Sequence, residues 1–202
     1  YGAASTLAGA VTTTSTTTAL TLNAAKALIG GQAIASTDGK MATVTINGSD
    51  AVTMGALTST GLKTVAATSA KAMNLGTMVT ATKLENVTLN SGDSLTLGAI
   101  GAAAGTGVLN ISATAAKDIA QSAGIDSTKI GDISMTSTGG SVTTNIGGGA
   151  TAATATEIGD ITLTAKDEVL VTALIGHATP VATSVGTISL TSAENKVDFG
   201  GI

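Results

Sequence analysis

Apolar residues occupy alternate positions in short runs along most of this chain, and the runs recur in one register. Aligned on their first apolar residue, they read LTLNAAKALIGG from Leu20, VTINGSDAVTMG from Val44, VAATSAKAMNLG from Val65 and VTLNSGDSLTLG from Val87. The series continues as ISATAAKDIAQS from Ile111, ISMTSTGGSVTTNI from Ile133, ITLTAKDEVLVTAL from Ile161 and ISLTSAENKVDFGG from Ile188. Start-to-start spacings are 24, 21, 22, 24, 22, 28 and 27 residues. Each unit holds an apolar-x-apolar pair, a small polar break and a second such pair. That period of two, with β-branched residues and turn-forming breaks, predicts short strands. Most starts also follow another apolar residue three positions earlier: Met41, Leu62, Leu84, Ile130 and Ile158. Two to three strands per unit are therefore expected.

One such unit cannot bury its own apolar face, whereas stacked units can. The pattern predicts an all-β chain, a parallel β-solenoid of about eight rungs of 21–28 residues. A right-handed parallel β-helix is favoured, because the strict six-residue period of the left-handed type is missing. Residues 20–202 form a single solenoid domain in this reading, preceded by a Thr-rich segment at 1–19.

Stacking turns the register into columns. With positions zero and two pointing inward, positions one and three face solvent. Position three reads Asn23, Asn47, Thr68, Asn90, Thr114, Thr136, Thr164 and Thr191, a ladder of polar side chains. Position six, at the turn, begins Lys26, Asp50, Lys71, Asp93 and Lys117. Like charges stacked about 4.8 Å apart would repel, and alternation replaces that repulsion with weak attraction.

Composition removes several classes of function. The nine basic residues are all Lys and face thirteen acids, for a net charge of −4. With one Tyr, one Phe and no Trp, the chain offers neither the basic face nor the stacking surface of a nucleic-acid binder. There is no Cys, hence no disulfide, thiol nucleophile or Cys-based zinc site. No apolar run reaches the length of a membrane span, so no membrane insertion is expected. Charged residues make up only 11%, which together with the aliphatic content argues against simple disorder.

Catalytic patterns are equally sparse. The single His, His177, stands in an irregular stretch without an obvious Ser/Asp partnership. Asp132 and Asp160 share a column with Asn86 and Asn110 and read as solvated ladder residues more readily than as a calcium site. The Gly run at 147–149 lacks the Lys-Ser/Thr of a phosphate loop. No enzyme activity and no cofactor are expected. Extra length gathers at one corner, in 101–107, 147–156 and 176–184, the last containing His177 and Pro180. These segments read as surface loops on one edge.

Three sequons, at Asn47, Asn86 and Asn110, make those residues candidate glycan acceptors. The run at 11–19 adds Thr12, Thr13 and Thr14 on composition alone. The ends of the coil carry a different expectation. The last unit stops partway round a rung at Ile202, and 1–19 has about the length of the missing part. Open solenoid ends are bare sheet edges that demand cover. A head-to-tail homopolymer would supply it, with 1–19 completing a neighbour's final turn. Candidate interface residues are Leu7, Val11, Leu20, Leu22 and Leu28 at one end, and Ile188, Leu190, Val197, Phe199 and Ile202 at the other.

The units GDITLTAKDEVLV and GTISLTSAENKVDFGG resemble the repeats of filamentous-haemagglutinin-like adhesins and of β-solenoid bacterial surface-layer proteins. The resemblance spans about residues 20–202. It implies an exported structural or adhesive role, at the cell surface or outside the cell, and carries over no catalytic residues. The expected function is a structural subunit stacking into a fibre or surface array. An adhesin stalk fragment is the first alternative. An ice-binding solenoid, suggested by the paired Thr/Ser and Asn/Thr columns, is the second.

Overall fold

The eight expected unit starts lie side by side on one sheet, each paired with the start in the next unit. This is the result of a computed structural model, which describes residues 4–13, 16–36, 38–79, 84–102, 108–121, 123–146, 155–172 and 184–199. The described residues are all-β, and their strand pairings are parallel. The chain is a β-solenoid with three faces.

The first face carries the long strands: Ala19–Ala24, Thr43–Gly48, Thr64–Ser69, Asn86–Ser91, Leu109–Ala115, Lys129–Ser137, Ile161–Ala165 and Ile188–Ser192. Seven full turns separate the first of these from the last. The second face stacks nine short strands, running from Ser5–Thr6 and Leu28–Gly30 up to Val169–Val171 and Val197–Phe199. Among the described residues the third face holds two separate three-stranded sheets. One is Val11–Thr13, Ile34–Ser36 and Leu57–Ser59; the other is Met78–Val79, Ile100–Ala102 and Ile125–Ser127.

Alternation works as the pattern demands. Val44, Ile46, Val65, Ile161 and Leu163 are fully buried, while Thr68, Thr88, Asn90, Ser112 and Thr114 between them are exposed. The last inward position of each first-face strand is small (Gly48, Ser69, Ser91, Ala115, Ser137, Ala165), because the chain bends there toward the second face. The serines satisfy that bend. Ser91 Oγ lies 2.9 Å from both the Lys71 and the Ser94 carbonyls, and Ser137 Oγ donates to Lys117 O at 2.6 Å. Each replaces water for a carbonyl that the turn removes from solvent.

The third strand differs from the sequence expectation. It begins at Ile34, Leu57, Ile100 and Ile125, not at the apolar residues just before each start. Ile130 and Ile158 lie in strands of the first-face sheet itself, Lys129–Ser137 and Glu157–Ile158, whereas Met41, Leu62 and Leu84 are buried at the corner leading into it. Two residues stand between such a corner residue and the start, and their amides converge on one carbonyl. The Lys63 and Thr64 amides donate to Ala42 O at 2.8 and 3.0 Å, and those of Glu85 and Asn86 both donate to Lys63 O at 2.9 Å. One carbonyl accepting two successive amides marks a tight bend of the chain at that corner.

Later rungs bend differently. The Asp132 amide donates to Asn110 Oδ1 at 3.0 Å, Asp160 to Asp132 Oδ1 at 3.0 Å, and Thr187 to Asp160 Oδ1 at 2.7 Å. A side chain thus relieves the overloaded carbonyl. Its close approach leaves room only for Gly: a Cβ on Gly159 would stand 2.7 Å from both Asp132 Oδ1 and the Gly131 carbonyl carbon. The recurring IGD triplet at 130–132 and 158–160 is this corner.

Candidate functional site: the two ends of the coil

Apolar residues that are sealed in the middle of the coil become accessible at its ends. Ile161 and Leu163 are fully buried, but Ile188 and Leu190, one rung on in the same columns, are only partly so. At the other end Leu20 and Leu22 are likewise half-buried beside the closed Val44 and Ile46. Leu7, Val11 and Phe199 also pack partly against the core, and Val197 remains 43% exposed. Ala19–Ala24 and Ile188–Ser192 each have a strand neighbour on one side only, so their outer backbone edges are unpaired among the described residues. Edges of this kind accept another strand.

Leu28 is only 4% exposed, because Ser5–Thr6 pairs over it, Ser5 against Leu28 and Thr6 against Ile29. Ile202 lies outside the described residues. Residues of the 1–19 segment, expected to reach a neighbour, pair with their own chain here. Val11–Thr13 lies against Ile34–Ser36, and the Ser5 and Leu7 amides donate to Ala27 O and Ile29 O at 2.8 and 2.9 Å. Leu7 also fills the space at Gly30, where a Cβ would meet its side chain at 3.1 Å.

The alternating charge column forms ion pairs between rungs. Lys71 reaches Asp50 at 3.2 Å and Lys117 reaches Asp93 at 3.0 Å. The Lys117 ammonium holds the Asp93 carboxyl below its ordinary value of 3.8. For Asp50 the Ala51 amide is the main cause of a similar lowering, with Lys71 second. Other pairs linking neighbouring rungs are Lys63–Glu85, Lys129–Glu157, Lys166–Glu194 and Lys196–Glu168. At the last rung Asp198 and then Glu168 raise the Lys196 ammonium above its ordinary range. The column ends in opposite signs, Lys26 on the first rung and Glu194 on the last.

The glycan candidates are spread along the coil. Asn47 is exposed, and its Nδ2 donates to Asn23 Oδ1 at 2.8 Å in the expected ladder. Asn86 is exposed, whereas the Asn110 amide group is engaged at the bent corner, donating to Glu85 O at 3.4 Å while its oxygen accepts from Asp132. Thr12 faces outward, but Thr13 points inward, 3.9 Å from Met41 Sδ. Thr14, His177 and Pro180 lie outside the described residues, as do 103–107, 147–154 and 176–183 of the expected loops.

A shallow groove of about 300 Å³ runs along the outer first face between Asn86, Thr88, Asn110, Ser112, Asp132 and Ser134. Asp132 and Asp160, weighed as calcium ligands, use their Oδ1 atoms to accept backbone amides. Among the described residues no group of three His, Cys, Asp or Glu side chains is placed to hold a metal ion. No protein-family model, curated protein or solved structure matches this chain. The Asn110–Asp132–Asp160 chain of side-chain acceptors leaves one mark in the sequence, the IGD repeat.

Proposed function

We propose that this chain is a structural protein whose β-solenoid stacks head-to-tail on copies of itself, forming a fibre or surface array outside the cell. The observation that carries the reading is the pair of strand edges, Ala19–Ala24 and Ile188–Ser192, that are unpaired among the described residues. Each presents half-buried aliphatic side chains in the same columns, Leu20 and Leu22 on one, Ile188 and Leu190 on the other. A contact between unlike ends repeats without closing and produces a linear polymer. The extracellular setting rests on the resemblance of the repeats to those of haemagglutinin-type and surface-layer proteins.

Electron microscopy and sedimentation of the purified 202-residue chain test the proposal. Filaments should appear above a critical concentration, and Leu190→Lys should abolish them while preserving the β-type circular dichroism spectrum. A parent chain that stays monomeric at all concentrations defeats the reading and favours a stalk fragment that binds through its loops. One observation favours a different role for the outer surface. Thr88, Asn90, Ser112 and Thr114 stand exposed in register on paired strands, a regular polar array. A thermal-hysteresis measurement decides whether that array binds ice.

A further inference from the structure

The second face holds nine strands where the first holds eight long ones, so the described coil exceeds a whole number of turns by one short strand. That surplus constrains any head-to-tail stack of the 202-residue chain. Suppose Ala19–Ala24 of the next copy pairs directly with Ile188–Ser192. Its Leu28–Gly30 then falls beside Val197–Phe199, in the place its own Ser5–Thr6 occupies in the single subunit. Both strands cannot fill one slot. If Ser5–Thr6 instead keeps its place and stacks on Val197–Phe199, the first-face edges end two strand spacings apart, roughly 10 Å, and neither is paired.

We infer that stacking proceeds by strand exchange: Val197–Phe199 of one copy displaces Ser5–Thr6 of the next and pairs with its Leu28–Gly30. The inference rests on the head-to-tail reading and specifies its joint. Hydrogen bonds are conserved in the exchange. The Val197 and Phe199 amides take over the Ala27 and Ile29 carbonyls that the Ser5 and Leu7 amides hold in the free subunit. Apolar contact improves, because Val197 replaces the exposed Ser5 over Leu28. Phe199, the only Phe in the chain, replaces Leu7 over Gly30, the one position in that column with no side chain of its own.

The first face gains most. Ile188 and Leu190 meet Leu20 and Leu22, closing both half-exposed pairs at once. The turn column brings Glu194 toward Lys26, continuing opposite charge across the joint. The displaced strand is exposed and, at two residues, the shortest of the second face. It caps Leu28 in the single subunit, so Leu28 becomes an interface residue only after it leaves.

The chain contains no Cys, so introduced pairs report cleanly. Paired residues on neighbouring parallel strands stand about 4.8 Å apart, within disulfide reach. Ile29→Cys with Asp198→Cys should cross-link filaments into a ladder of multimers on a non-reducing gel, and Thr6→Cys with Asp198→Cys should not. Thr6→Cys with Ile29→Cys pins the arm to its own chain. Oxidised, that variant should lose filaments; reduced, it should regain them. Deleting residues 1–7 should lower the critical concentration several-fold. Cross-linking through positions 6 and 198, or equal assembly of the pinned variant in both redox states, overturns the exchange while leaving stacking intact. A parent chain that never assembles removes both.

Discussion

At the scale of single residues, the coil depends on small side chains where backbone crowds backbone. Gly159 lies between the Asp132 carboxylate and the Gly131 carbonyl group, with no space for a methyl. Gly159→Ala should therefore destabilise the chain by about 1–3 kcal/mol, the usual cost of forcing volume into a packed site. Thermal unfolding followed by circular dichroism measures it, and an unchanged Tm would remove the steric account of the IGD triplet. The triplet was readable as a repeat in the sequence, since Gly131 and Gly159 stand 28 positions apart. Its purpose was not readable. Asn110 serves the same chain of acceptors without matching the triplet, because its rung has one residue fewer between corner and start. Within a run of Thr, composition does not say which hydroxyls face inward; strand parity decides, and it turns Thr13 inward.

Elements in this fold are held by their neighbours in adjacent turns, and the charge column shows how. Asp50 and Asp93 each titrate below the ordinary carboxylate value in the folded chain. A lowered folded pKa gives stability that is present above the unfolded value of 3.8 and lost as pH falls through the folded one. Tm should accordingly decline as pH is taken from about 5 to about 2. A chain carrying Asp50→Asn and Asp93→Asn should start slightly lower and decline less. These groups are exposed, so the effect is small and is screened by salt. An identical acid decline in parent and variant would show that these pairs do not contribute. The alternation of sign along Lys26, Asp50, Lys71, Asp93 and Lys117 was legible, as were the strand positions, because side-chain parity and rung spacing are written directly in the residue order. Corner geometry was not. Met41 and Leu62 lie three residues before a start, the same spacing whether they begin a strand or end a bend. Hydrogen bonding from two amides to one carbonyl settles that question, and it leaves no trace in polarity.

Across the whole molecule, stability is a sum over turns and over the contacts between them. A central turn has two neighbours and a terminal turn one, so opening should begin at the ends. Hydrogen exchange should run fastest in Ser5–Thr6, Ala19–Ala24 and Val197–Phe199, and slowest around Asn86–Ser91 and Leu109–Ala115. In assembled filaments Ala19–Ala24 and Val197–Phe199 should slow toward the central rate. Uniform exchange in the free chain would indicate one cooperative unit instead. The interior also has a flaw away from the ends. Thr144 and Gln121 replace the aliphatic residues of their column and bond to each other at 2.6 Å, leaving the buried Gln121 Nε2 with no partner among the described residues. The inter-turn hydrogen bonds of a solenoid point along its axis, so a pull on the two ends loads the turns in series. Resistance is then set by the weakest turn, not by the total, and the polar interruption at 121 and 144 lies within that series.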